Sequence, residues 1–141
     1  MAPGVKPSHA YADNATYTVT LTVTDARGAA STPATTIATI VNAAPVVNAG
    51  GNKTVTLGQS FTLSASFSDA GVNDASWSYA ITWGDGSAQT SGSTSSQSTA
   101  ITAAHTYAAA GTYTVRVTVT DREGASGVGN MSVTVKKKGG R

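Results

Sequence analysis

The 141-residue chain carries charge on only 11% of its residues, against about 25% in an average soluble domain, and Thr, Ser, Ala and Gly stand where the charge would be. It has no cysteine, which excludes disulfide scaffolds, thiolate zinc sites and cysteine catalysis. Its formal net charge of +2 owes much to Lys136, Lys137, Lys138 and Arg141 at the C-terminus, so no basic face interleaved with aromatics is offered to nucleic acid, and no run approaching about 18 apolar residues is offered to a membrane.

In chain order, the opening Met1-Ala2-Pro3-Gly4-Val5-Lys6-Pro7 lacks the apolar stretch of an export signal. Residues 17–25 alternate, with Tyr17, Val19, Leu21 and Val23 on one face and Thr between them, which predicts a half-buried strand. A turn follows at Gly28, then a polar Ala/Ser/Thr run, and Asn42-Ala43-Ala44-Pro45 is expected to be a linker because proline extends the residue before it. Further strands are expected at 53–57, 60–68, 76–83, 98–103, 112–120 and 127–135, with a short edge strand near 88–91. Gly58-Gln59, Asp69-Ala70-Gly71, Gly84-Asp85-Gly86, Ala110-Gly111 and Arg122-Glu123-Gly124 supply the breaks. Phe61, Leu63, Ala65 and Phe67 share one parity, as do Trp77, Tyr79, Ile81 and Trp83, and Tyr113, Val115, Val117 and Val119. About seven strands, each with one apolar face, require a second sheet to cover the first, so the expected fold is an all-β, immunoglobulin-like, two-sheet antiparallel sandwich.

An internal repeat sets the domain organisation. Residues 9–25 return as residues 105–121, 96 positions later, with 11 of 17 residues identical, His, both Tyr and the final Asp among them. Residues 1–42 therefore correspond to the second half of a truncated repeat plus a linker, residues 43–135 to a complete sandwich, and residues 136–141 to a basic, Gly-containing tail.

Three blocks carry a resemblance to a known family: Asn42 to Gly50, the turn Trp83-Gly84-Asp85-Gly86-Ser87, and the run from His105 through Tyr107, Gly111 and Tyr113 to Asp121. Together they resemble the polycystic kidney disease (PKD) domains, and the third block occurs twice. In the middle block Trp83 stands where Phe is commoner in that family, and Ile81 where Trp is frequent. The resemblance implies an immunoglobulin-like, repeated extracellular module.

Candidate chemistry is sparse. Ser, His and Asp are present, but no Gly-x-Ser-x-Gly elbow is, and His9 and His105 hold equivalent repeat positions, so both are expected to serve the fold. Tyr107 is expected to tie down the corner before the 112–120 strand through a hydroxyl bond to backbone. Asp85, between two glycines, and Asp121, ahead of Arg122-Glu123-Gly124, suit turns. Calcium takes about 6 to 8 oxygens, and Asp69, Asp74, Asp85, Asp121 and Glu123 lack the spacing of a single calcium loop, which leaves assembly across loops as its only route. No other cofactor is expected. Trp77, Tyr79 and Trp83 could form a platform for sugar rings, although their common parity favours the core. Asn14, Asn52 and Asn130 begin glycosylation sequons.

The function these features predict is that of a non-catalytic spacer or adhesion module in a multi-domain secreted or cell-surface protein. Its expected partners are neighbouring domains of the same chain, with polysaccharide or an extracellular protein as ligands. The alternative is an accessory domain that docks an associated hydrolase onto polysaccharide or fibrous protein. The uncovered face of the truncated repeat predicts self-association of this chain by strand exchange.

Overall fold

The computed structural model describes residues 4–139. Gly140 and Arg141 of the basic tail lie outside the described residues. Ten strands and no helix occur among the described residues, and the chain divides into two compact units at Asn42/Ala43. Among the described residues, no helix is long and apolar enough to cross a membrane.

The first unit is a two-stranded antiparallel sheet of β1 (Ala15–Leu21) and β2 (Ala34–Ile40), in which Tyr17 faces Ala38 and Leu21 faces Ala34. The strand expected to reach residue 25 stops at Leu21, and pairing resumes only as the single bridge Thr24↔Ala30. Three positions separate Leu21 from Thr24, but four separate Ala30 from Ala34. The extra residue lies beside Pro33, which has no N–H for the ladder, so the hairpin bulges there. Its turn is closed locally: the Asp25 carboxylate accepts the amides of Arg27 at 2.8 Å and Ala29 at 2.9 Å.

The second unit begins with β3 (Val46–Asn48), β4 (Lys53–Thr56), β5 (Ser60–Ser68) and β6 (Trp77–Thr82). It continues with β7 (Thr90–Thr94), β8 (Ile101–Thr106), β9 (Gly111–Thr120) and β10 (Ser126–Lys136). One sheet runs β4-β10-β9-β6-β7 and the other β3-β5-β8. All neighbours are antiparallel except β4, which joins β10 in parallel and departs from the all-antiparallel expectation. That pairing draws Lys136 into β10, so the tail starts one residue later than expected, and the Lys136 carbonyl accepts the Leu57 amide at 2.8 Å.

β5 alternates exposed and buried along its whole length, and its Phe61, Leu63, Ala65 and Phe67 face Ile81 of β6, Val115, Val117 and Val119 of β9, and Met131, Val133 and Val135 of β10 in one core. Each large aliphatic or aromatic side chain so buried contributes about 1.5–3 kcal/mol relative to exposure. β3 follows directly on the expected linker, in residues where no strand was expected. It lies against two glycines of β10: a Cβ on Gly127 would overlap the Pro45 carbonyl, and one on Gly129 would sit 2.9 Å from the Val47 carbonyl oxygen. The sequence offers no local sign of that approach, because it depends on where the chain enters the sandwich.

The second unit holds a core of its own, so deletion of residues 1–42 is expected to leave its thermal unfolding almost unchanged. Changes outside a core typically stay within about 0.5 kcal/mol, which for a domain of this size moves Tm by about 2–4 °C. Differential scanning calorimetry of residues 43–141 checks this, and a fall of about 10 °C would show that the first unit supports the second.

Candidate functional site

Two polar constellations stand out, at different places in the second unit. The first is the turn Trp83-Gly84-Asp85-Gly86-Ser87 after β6. Gly84 and Gly86 have φ of 83° and 80°, in the left-handed region where Cβ is penalised. Asp85 Oδ1 accepts the Ser87 amide at 3.1 Å and the Ser87 hydroxyl at 2.6 Å, while Oδ2 lies 2.8 Å from His105 Nε2. The imidazole of His105 stacks on the Trp83 indole at 4.6 Å between ring centroids, and the Tyr107 ring meets it edge-on at 4.7 Å. The Tyr107 hydroxyl donates to the Trp83 carbonyl at 3.1 Å.

Ser, Asp and His thus meet in the order serine, carboxylate, imidazole. In a hydrolase triad the imidazole stands between the other two, taking the hydroxyl proton while the carboxylate orients it. Here the serine hydroxyl donates to the carboxylate. The Ser87 hydroxyl bond, with help from His105, outweighs burial and brings Asp85 down to about 2, which makes it a very weak base. The cluster fastens the β6–β7 turn to β8.

The role expected of Tyr107 is divided in the structure. β8 was expected to end at residue 103 but extends to Thr106, which places His105 inside a strand paired with β5 through Phe61↔His105. Tyr107 therefore spans the sandwich to Trp83. The local corner belongs to Tyr113, whose hydroxyl donates to the Ala109 carbonyl at 2.9 Å.

Both tethers predict a pH dependence. The folded-state value of Asp85 lies below its ordinary value of 3.8, so its contribution is complete above that pH and is lost as pH falls towards about 2. Burial pushes the Tyr107 phenol up to about 12 from 10.0, so its contribution is complete below pH 10 and fades as pH rises through about 12. Urea denaturation at a series of pH values checks the pair. Asp85→Asn should flatten the acid limb between pH 4 and 2, and Tyr107→Phe should flatten the alkaline one.

The second constellation is acidic. Asp69, Asp74 and Asp121 bring carboxylate oxygens within 4.8 Å of one another, and Asp74 and Asp121 are buried. It is the only such acidic group among the described residues. Each member follows the end of a strand or sits in the loop between β5 and β6, so strand ends gather residues that no sequence spacing brings together. Asp69 Oδ2 accepts the Trp77 indole N–H at 2.7 Å. Asp121 Oδ1 accepts the amides of Glu123 and Ala125, both at 2.9 Å. The Asp74 carbonyl accepts the Arg122 amide at 3.2 Å. Such a set suits a hard divalent cation, for which it would supply three of about 6 to 8 oxygens. These hydrogen bonds already give Asp69 and Asp121 a structural task, tying the β5–β6 loop and the β9–β10 turn in place. Asp85 stands apart with His105, and Glu123 joins through its backbone.

The aromatic platform is not formed. Trp77 is 4% and Trp83 2% exposed, because alternate residues of β6 turn to the core; Trp77 meets Phe67 at 5.3 Å and Trp83 meets Phe61 at 6.4 Å. Tyr79 alone reaches the rim, where it lies over Gly92 of β7, and a Cβ at Gly92 would come 2.5 Å from its hydroxyl. A surface groove of about 480 Å³ is lined by Tyr79 and otherwise by Ser78, Ala80, Ser91, Gly92, Ser93, Thr118 and Thr120.

The family model for the PKD domain matches residues 1–41 and again residues 42–136. The chain belongs to the PKD-domain family. Among solved structures it is similar to the PKD domain of an M14-like peptidase from Thermoplasmatales archaeon SCGC AB-540-F20, at 26% identity and a TM-score of 0.58, over 69% of this chain and all of that one. It is also similar to the PKD1 domain of Vibrio anguillarum Epp, at 30% identity and a TM-score of 0.47, over 70% of this chain and all of that one. No curated protein matches it. PKD domains are non-catalytic modules, generally of extracellular or surface multi-domain proteins. In this PKD domain His105 and Tyr107, which belong to the internal repeat, and the Gly84-Asp85-Gly86 turn are the fasteners of the sandwich.

Proposed function

We propose that this chain is a spacer module that sets the distance and orientation of its neighbours in an extracellular or surface protein. The observation that carries this is the inward burial of Trp77 and Trp83, the two tryptophans, while the open groove beside β6 and β7 is lined mainly by small residues. A docking module retains polysaccharide or fibrous protein through exposed, rigid aromatic area, and a groove of Ser, Thr, Ala and Gly with one rim tyrosine supplies little of it. A sandwich fastened at its turns instead transmits position. One similar structure is the PKD domain of an M14-like peptidase, which fits a module carried beside a catalytic domain.

Retention on insoluble cellulose, chitin and collagen fibrils tests the proposal. The chain is expected to remain in the supernatant with a non-binding control protein. Specific retention that Tyr79→Ala abolishes would overturn the spacer reading in favour of the docking one.

A further inference from the structure

The two units allow a comparison within one chain, since β1 and β2 correspond to β9 and β10. Local geometry is the same in both. The rings of His9 and Tyr11 meet edge-on at 4.6 Å and those of Tyr11 and Tyr17 stack at 4.3 Å, as do His105 with Tyr107 at 4.7 Å and Tyr107 with Tyr113 at 4.5 Å. The Tyr17 hydroxyl donates to the Asp13 carbonyl at 3.0 Å, the counterpart of Tyr113 to Ala109.

Burial is not the same. Val19, Leu21 and Val23 are 40%, 60% and 60% exposed, whereas their counterparts Val115, Val117 and Val119 are fully buried. What covers those counterparts is the first half of the sandwich, β3 to β8. Moreover, the residues of β1 and β2 include no charged side chain, so neither strand carries the lysines or inward charges that blunt an open edge. We infer that the β1–β2 hairpin is the closing half of a split sandwich, an interaction surface whose occupant is the opening half of a like module. That half would bring the aspartate of a Trp-Gly-Asp-Gly turn to His9 and the turn's carbonyl to Tyr11, the partners that His105 and Tyr107 hold in the second unit.

A second copy of this chain is a poorer occupant. Two strands of seven residues, at about 3.4 Å per residue and about 4.8 Å between strands, present a face of about 230 Å². That is well below the roughly 800 Å² per partner of a stable interface. Exchange does no better: a copy that lent its β3–β8 would uncover its own β9–β10 face, so the number of open hairpins would be unchanged.

The test extends the chain itself. A second copy of residues 50–104 is joined directly ahead of His9, leaving residues 9–141 intact. The graft starts at residue 50 because Pro45 to Ala49 lie against Gly127 and Gly129, and Ala34 takes the place of Gly129 in the first hairpin. Hydrogen exchange should slow by at least about 100-fold at Tyr17 to Leu21 relative to the ungrafted chain, approaching β9. Leu21→Asp in the graft should restore fast exchange there and leave residues 43–136 unaffected. Unchanged exchange in the graft, or protection that survives Leu21→Asp, would overturn the inference. So would an ungrafted chain that sediments as a dimer with its hairpin already protected, which would make a second copy the occupant.

Discussion

Trp83→Ala is expected to lower the melting temperature of the second unit on the order of 15–25 °C. Trp83 packs edge-on against Phe61, stacks beneath His105 and donates its indole N–H to Thr90 Oγ1 at 3.2 Å. Truncation removes those contacts together and leaves a cavity at the end of the core. Losses for buried Trp→Ala are about 3–5 kcal/mol, and each kcal/mol moves Tm by about 4–8 °C in a domain this small. The same change uncouples the Asp85–His105 pair from its ring support, so the acid limb should flatten as it does in Asp85→Asn. Calorimetry with an exposed control, Val128→Ala, checks it. If Trp83 were a surface platform, the two variants would melt within a few degrees of each other.

Gly84→Ala should be far more damaging than Gly86→Ala, which provides its calibration. Both glycines hold nearly the same positive φ, so both substitutions carry a left-handed strain of about 1–2 kcal/mol. They differ in what the new Cβ meets. At Gly86 it meets nothing within 4 Å. At Gly84 it falls 2.5 Å from the Thr114 carbonyl oxygen and 3.0 Å from the Thr114 amide nitrogen, and both belong to backbone that β9 shares with β10 through Thr114↔Ser132. A side chain could swing away; a paired strand cannot. The expected loss at Gly84 is about 3 kcal/mol or more, against about 1–2 at Gly86, by urea denaturation. Equal losses would show that backbone conformation alone accounts for the glycine, with the close approach of β9 irrelevant.

Legibility in the sequence followed the range of each interaction. The face of β5 was legible because alternation is a property of consecutive residues, and Phe61, Leu63, Ala65 and Phe67 are buried together. The aspartate turns were legible for the same reason: Asp25 and Asp121 each accept amides two and four residues on, and their hydrogen bonds match although the two units differ in everything that surrounds them. The repeat itself showed which half of a sandwich the first unit holds. The role of Tyr107 was read a little short, as a local corner, because its carbonyl partner lies 24 residues away in the turn after β6.

Sequence alone determined the all-β class, the inward faces of the main strands and the turns closed by Asp25 and Asp121, since each rests on periodicity or on bonds spanning a few positions. The tertiary structure decided that Asp85 meets His105, that Asp69, Asp74 and Asp121 converge, that β4 runs parallel to β10, and that Val46 to Asn48 is a strand lying against glycines. Each of these depends on which strand ends become neighbours when two sheets pack, a choice made by the whole core at once and written in no single stretch of residues.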